Sequence, residues 1–121
     1  MSTATDLIER YIATWNEPDP AKRRAAVDEI WTEDASYVDP VAVTDEQEAT
    51  AATIGAVQQQ FAGLGFRLAG PVDPHHDLVR FTWELGPEDA DALVVGFDVA
   101  VLSEDGRLRN VHGFLDGVPT T

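Results

Sequence analysis

The sequence predicts an α+β fold, with helices gathered in the first half and an antiparallel sheet in the second. Three observations carry that expectation. Apolar residues recur at helical spacing as far as Phe61, and beyond Gly63 and Gly65 the period changes to two. The second half is also punctuated by turn signals, "GPEDAD" and "EDG", that cut it into strands of meander length.

The first helix is marked by Leu7, Ile8, Tyr11, Ile12 and Trp15, which form one apolar stripe. It should stop near "NEPDP", where two prolines break the pattern. Asp19 then caps a second helix with Pro20 at its first position, and Ala26, Val27, Ile30 and Trp31 form its inner face. The stretch "TEDASYVDP" reads as a short extended segment ending at Pro40. Thr44-Asp45-Glu46-Gln47 fits a capping box ahead of a third helix that presents Ile54, Val57 and Phe61. Gly63 and Gly65 end that helix. Strands follow at about 66–73, 77–85, 92–103 and 107–115, as a four-stranded antiparallel meander. A curved sheet wrapped by three helices makes a cone with an apolar interior, which suits a ligand pocket.

No repeat, low-complexity tract or linker divides the 121 residues, so residues 1–121 read as one domain. A hydrophobic content of 44% with 25% charged residues is ordinary for a soluble protein. The net charge of −14 repels phosphate, which makes nucleic acid and anionic membrane poor partners. The basic trio Lys22-Arg23-Arg24 reads as a solvated helix face. No run approaches the roughly 20 apolar residues of a membrane span, and "MSTATDLIER" lacks the pattern of a signal peptide. The expected location is cytoplasmic. The absence of cysteine excludes disulfides and thiolate chemistry.

Two carboxylates stand out. Asp98 lies mid-strand in "VVGFDVAVL", sharing a face with Gly96, Ala100 and Leu102, while Phe97, Val99 and Val101 share the other. A carboxylate there either faces solvent, pairs with Arg80 or Arg109, or stands in the wall of a pocket. Asp39, in "DASYVDPVAV", is either an Asp-Pro turn opener bonding nearby amides or a base at a pocket mouth. Tyr11 is a core aromatic whose hydroxyl needs a partner if buried. Both faces of the strand around Asp98 are apolar enough to be covered, one by helices and the other by a second subunit. A homodimer is therefore expected.

The segments "ERYIATWN", "DASYVDPV" and "FDVAVLSEDGRL" resemble those of bacterial ketosteroid isomerases, members of the nuclear transport factor 2-like superfamily. That superfamily also includes SnoaL-like polyketide cyclases and limonene epoxide hydrolase, and "GFDVAVLSEDGRLRNVHGF" is most similar to the SnoaL-like group. The resemblance implies a fold of that type and a cofactor-independent, metal-free acid/base site for a small hydrophobic carbonyl compound, in an isomerase or cyclase. It implies Asp39 as general base, with Tyr11 and a protonated Asp98 donating to the developing enolate oxygen.

The departures matter too. The slot of the tyrosine that supports the isomerases' catalytic tyrosine falls on Gln58. The matching pocket face carries Val111, Gly113 and Leu115 instead of aromatic or methionine residues, and Trp15 belongs to the same pocket. These differences speak against a steroid isomerase. Arg80 shares a strand face with Thr82 and Glu84 while Val79, Phe81, Trp83 and Leu85 look like core, which favours a surface or interface Arg80 paired with Glu84 or another acid over one in the pocket. Two other readings stay open: a non-catalytic binding or dimerisation module, and an epoxide-hydrolase-like enzyme in which an Asp-Arg-Asp cluster with Arg80 activates water. In either enzymatic reading His76 could act as a further acid/base group. His75, His76 and His112 have no spacing typical of a zinc site.

Overall fold

The computed structural model describes residues 3–117. Three helices, α1 (Ala4–Asn16), α2 (Pro20–Ile30) and α3 (Gln47–Gln60), are combined with a seven-stranded sheet. The strands are β1 (Trp31–Val38), β2 (Val43–Thr44), β3 (Gly65–Leu68), β4 (Asp73–His75), β5 (Leu78–Gly86), β6 (Val94–Leu102) and β7 (Leu108–Gly117). Their order is β2-β1-β7-β6-β5-β3, with β4 also paired to β5.

The helices begin where local chemistry satisfies their free amides. Thr3 and Asp6 form a reciprocal capping box on α1, and the Asp19 carboxylate accepts from the amides of Ala21 and Lys22 ahead of Pro20. The capping box expected at Thr44 does not form. Thr44 belongs to β2, its hydroxyl pairs with that of Thr50 at 2.8 Å, and α3 starts after Glu46 with no side-chain cap. The expected strand over 66–73 is two strands, because Gly70 bends the chain at φ 89°.

The expected antiparallel meander holds for β5, β6 and β7, but the sheet as a whole is mixed: β1 runs parallel to β7. Register shifts between Trp31 and Ser36 and on β6 between Val95 and Gly96 and between Val101 and Leu102 bend it. The result is a curved, unclosed sheet with the helices against one face.

Residue parity on β5–β7 sets what faces the helices. Three inner rows cross the sheet: Val79–Ala100–Val111, Phe81–Asp98–Gly113 and Trp83–Gly96–Leu115. The core packs on the first two rows through Ile8, Tyr11, Ile12 and Trp15 of α1, Val27 and Ile30 of α2, and Ile54 of α3. Tyr11 meets Phe81 edge-on at 5.4 Å between centroids. Arg23 and Gln58 lock the helices together. Gln58 donates to the carbonyls of Trp15 and Glu17 at the end of α1 and accepts from Arg23 at 2.8 Å. Gly55 is what lets the Arg23 guanidinium lie there, since a Cβ at that position would sit 2.7 Å from its nitrogen.

Candidate active site

Asp98 is 3% exposed, in the middle of the inner face. Its carboxyl is bonded from two elements: the Tyr11 hydroxyl of α1 donates to Oδ2 at 2.8 Å, and the Trp83 indole of β5 donates to Oδ1 at 3.0 Å. Burial pushes its pKa up to about 6. The nearby Asp39 carboxylate pushes the same way, while the two donors oppose the shift. The Tyr11 hydroxyl is itself held well above the usual range, mainly by burial and then by the Asp98 charge, so it stays protonated and remains a donor.

Asp39 lies just past the end of β1, on a loop built around its own side chain. Oδ1 accepts from the amides of Val41 and Ala42, both at 2.8 Å, and its own amide donates to the Ala42 carbonyl. Oδ2 accepts from the Tyr37 hydroxyl at 2.5 Å. Tyr37 stays protonated because burial, Asp98 and Asp39 all raise its pKa. Oδ1 is thus fully used, and the free lone pair of the carboxylate is on Oδ2.

Gly113 lies between the two carboxylates. A Cβ there would be 3.0 Å from Asp98 Oδ1 and 3.2 Å from Asp39 Cβ. With no side chain at that point, both groups line one cavity of about 160 Å³. Its remaining wall is largely apolar, including Ile12, Trp15, Phe66, Val94 and Leu115. A second cavity of about 200 Å³ adjoins it at the ends of α1 and α3.

Tyr11, Asp39, Asp98, Trp15, Gly113 and Leu115 therefore meet at one cavity. The other expected pocket residues lie elsewhere. Arg80 pairs with Val99, one residue out of phase with Asp98, so it sits exposed on the outer face with its guanidinium 5.2 Å from the Phe97 ring. The Asp-Arg-Asp cluster is not formed. His76 is exposed in the β4–β5 turn at φ 55°. Val111 is fully buried in the core and does not line the cavity, and Gln58, committed to α1 and Arg23, lines the adjoining second cavity.

Two site residues escaped the sequence reading. Trp83 reads as core from its apolar parity, and only its strand register reveals the bond to Asp98. Tyr37 carried a signal: it stands two residues before Asp39, on the same face of an extended segment.

Three helices packed on a curved mixed sheet, enclosing a carboxylate-bearing cavity, define a nuclear transport factor 2-like α+β protein. Residues 8–111 match the family model for the SnoaL-like domain, and the chain belongs to that family. It is 42% identical to an Agrobacterium tumefaciens protein of the SnoaL-like family, provisionally assigned as an isomerase, over 97% of this chain and 100% of that one, with a TM-score of 0.90. A provisionally assigned SnoaL-like polyketide cyclase from Jannaschia sp. is 17% identical over 96% and 90% of the two chains, with a TM-score of 0.70. An LEH-like epoxide hydrolase from M. tuberculosis is 15% identical over 93% and 82%, with a TM-score of 0.64. At those identities the last two share only the fold. No curated protein matches the sequence.

No helix among the described residues is long and apolar enough to cross a membrane. No group of three or more histidine, aspartate or glutamate side chains among them is arranged to hold a metal ion.

Proposed function

We propose that this protein is a cofactor-independent acid/base enzyme, an isomerase or cyclase, acting on a small apolar carbonyl compound. The observation that carries this reading is the pair of carboxyl groups on one apolar cavity, separated only by Gly113 and held in unlike environments. Asp39 is held in place by three donors and keeps one lone pair of Oδ2 free, so it is the base, acting through that lone pair. Asp98 is desolvated and gains a proton readily, so it is the acid partner together with Tyr11. The base would remove a proton alpha to the carbonyl, and the hydrogen-bonded Asp98–Tyr11 pair would stabilise the oxygen as it becomes an enolate.

The enclosed volume favours a small substrate. About 160 Å³ is close to an engineered cavity of roughly 150 Å³ that holds benzene, so one ring is enclosed. That supports a compound smaller than a steroid, or one whose remainder projects from the mouth. The position of Arg80 gives no support to an arginine-assisted hydrolase. The expected homodimer stays part of this proposal: the outer sheet face carries Phe97 stacked on Phe114 at 4.9 Å, with Phe114 half exposed.

The test is exchange of alpha protons for deuterium in small cyclic ketones, followed by NMR in D₂O. The protein should catalyse exchange, and Asp39→Asn should lower the rate by on the order of 10²- to 10⁴-fold while ketone binding is retained. Equal exchange by the variant would remove Asp39 from the base role. A folded wild type that binds ketones without exchanging them would favour the non-catalytic binding module.

A further inference from the structure

Trp83 reaches Asp98 by a diagonal path that depends on two features. On β5 it stands opposite Gly96, not opposite Asp98, so its indole must cross the neighbouring strand to bond a side chain two residues farther on. A Cβ at Gly96 would lie 2.4 Å from Trp83 Cζ2 and 2.8 Å from Cε2, so the ring lies directly on the glycine backbone. Phe66 packs on the indole as well, at 5.5 Å between centroids and 64° between planes. Any side chain at residue 96 would lift the indole away from Asp98.

The bond it makes is directional in a way the Tyr11 bond is not. An indole N–H only donates, whereas a tyrosine hydroxyl donates or accepts. When Asp98 takes up a proton, a hydroxyl oxygen is a poorer acceptor than a carbonyl oxygen. The Trp83 donor at 3.0 Å therefore keeps Oδ1 as the carbonyl oxygen and leaves the proton to Oδ2, which is the atom 2.8 Å from Tyr11. Proton and tyrosine then share one hydrogen-bond site. Either Asp98 donates to Tyr11 and the tyrosine hydrogen turns toward a ligand, or the roles reverse.

We propose that Trp83 is a positioning residue that assigns the Asp98 proton to Oδ2, so that Asp98 and Tyr11 form one hydrogen-bonded relay that presents a single hydrogen to a ligand oxygen. This rests on the acid/base reading of the cavity, but its first test does not require turnover. The groups facing Asp98 are Tyr11 from α1, Tyr37 from β1, Asp39 from the loop after it, Phe81 and Trp83 from β5, and Gly113 from β7. Asp39 is the one other carboxylate among them, and Arg80 lies on the opposite face.

The experiment is a carbon-detected NMR titration of the Asp98 carboxyl in the wild type and in Trp83→Phe. Loss of the donor should move the Asp98 midpoint upward, because the charged form loses a hydrogen bond. If the indole merely packed, its truncation would admit water beside the carboxyl and leave the midpoint unchanged or lower it. Either of those outcomes overturns the proposal.

Should Trp83→Phe fail to fold, the unaltered protein still decides. The Trp83 indole N–H resonance should titrate with the same midpoint as the Asp98 carboxyl carbon, and an indole signal that ignores that midpoint overturns the assignment. Ketone exchange is then compared in the two proteins. An upward midpoint with no exchange by the wild type sustains the positioning of the proton and rejects the enzymatic reading. An upward midpoint with at least a tenfold loss of exchange sustains both.

Discussion

Replacing Asp98 with asparagine should make the protein more stable while removing its acid. Burial, with a smaller push from Asp39, holds the carboxyl at about 6 against an ordinary 3.8, despite the donors Trp83 and Tyr11. A folded-state value above the unfolded one means that the native state binds this proton more tightly. The stability that follows is fully present below about pH 4 and is lost as pH rises through about 6. A separation of about two pH units amounts to about 3 kcal/mol above pH 7. Asparagine has nearly the same shape, offers an oxygen to the Trp83 N–H and an amide to the Tyr11 oxygen, and brings no charge into the core. Asp98→Asn is therefore expected to exceed the parent by about 2–3 kcal/mol at pH 8, a rise in Tm on the order of 5–10 °C, and to match it near pH 4. Urea unfolding of both proteins at the two pH values, followed by tryptophan fluorescence, measures the difference and cancels the titration of the other acidic residues. A variant less stable than the parent at pH 8 would refute the claim that Asp98 is ionised against a desolvation cost. So would an advantage that does not shrink toward pH 4.

Two more outcomes follow from the same geometry. If a protonated Asp98 is the acid, kcat/KM for ketone exchange should fall as pH rises through about 6, whereas a water-activating role for its ionised form would make the rate rise through that value. A pH–rate profile between 4.5 and 8 separates the two by sign. Gly113→Ala would place a methyl 3.0 Å from Asp98 Oδ1 and 3.2 Å from Asp39 Cβ, tighter than ordinary contact. It should cost about 1–3 kcal/mol and most of the exchange activity, read by thermal melting and the deuterium assay, and an unchanged variant would show that the space is not used.

Much of the fold was legible because its signals are local. Asp19 and Pro20 specify a helix start within three residues, and the shift to period two after Gly65 reports the sheet. Residue parity also put Asp98 with Gly96 and Ala100, as observed. What failed was either competition between local bonds or information carried by distant pairing. Thr44 had the chemistry of a cap, but its hydroxyl meets Thr50 within the fold instead. Nothing within residues 31–38 marks a parallel partner more than 70 positions away on β7. Parity on β5 marks Val79, Phe81, Trp83 and Leu85 as the inner face and favours Arg80 outside, as observed, but the pairing register that brings Trp83 to Asp98 is set by the neighbouring strand and leaves no mark on β5 itself.

The cavity gathers choices that each work against a stable sheet. Gly96 and Gly113 forgo burial of a side chain on the inner face, and Asp98 puts a carboxylate between them where an apolar residue would pack. Each exception has a geometric counterpart. Gly96 makes room for the indole that bonds Asp98, and Gly113 makes the gap that joins Asp98 to Asp39. The neighbouring inner row, Val79–Ala100–Val111, has no such exception and is at most 1% exposed throughout. The exceptions are thus confined to two adjacent rows and answer to one another. A loss of packing scattered at random would not do so, whereas a site whose carboxyl groups must be held and kept apart would require it.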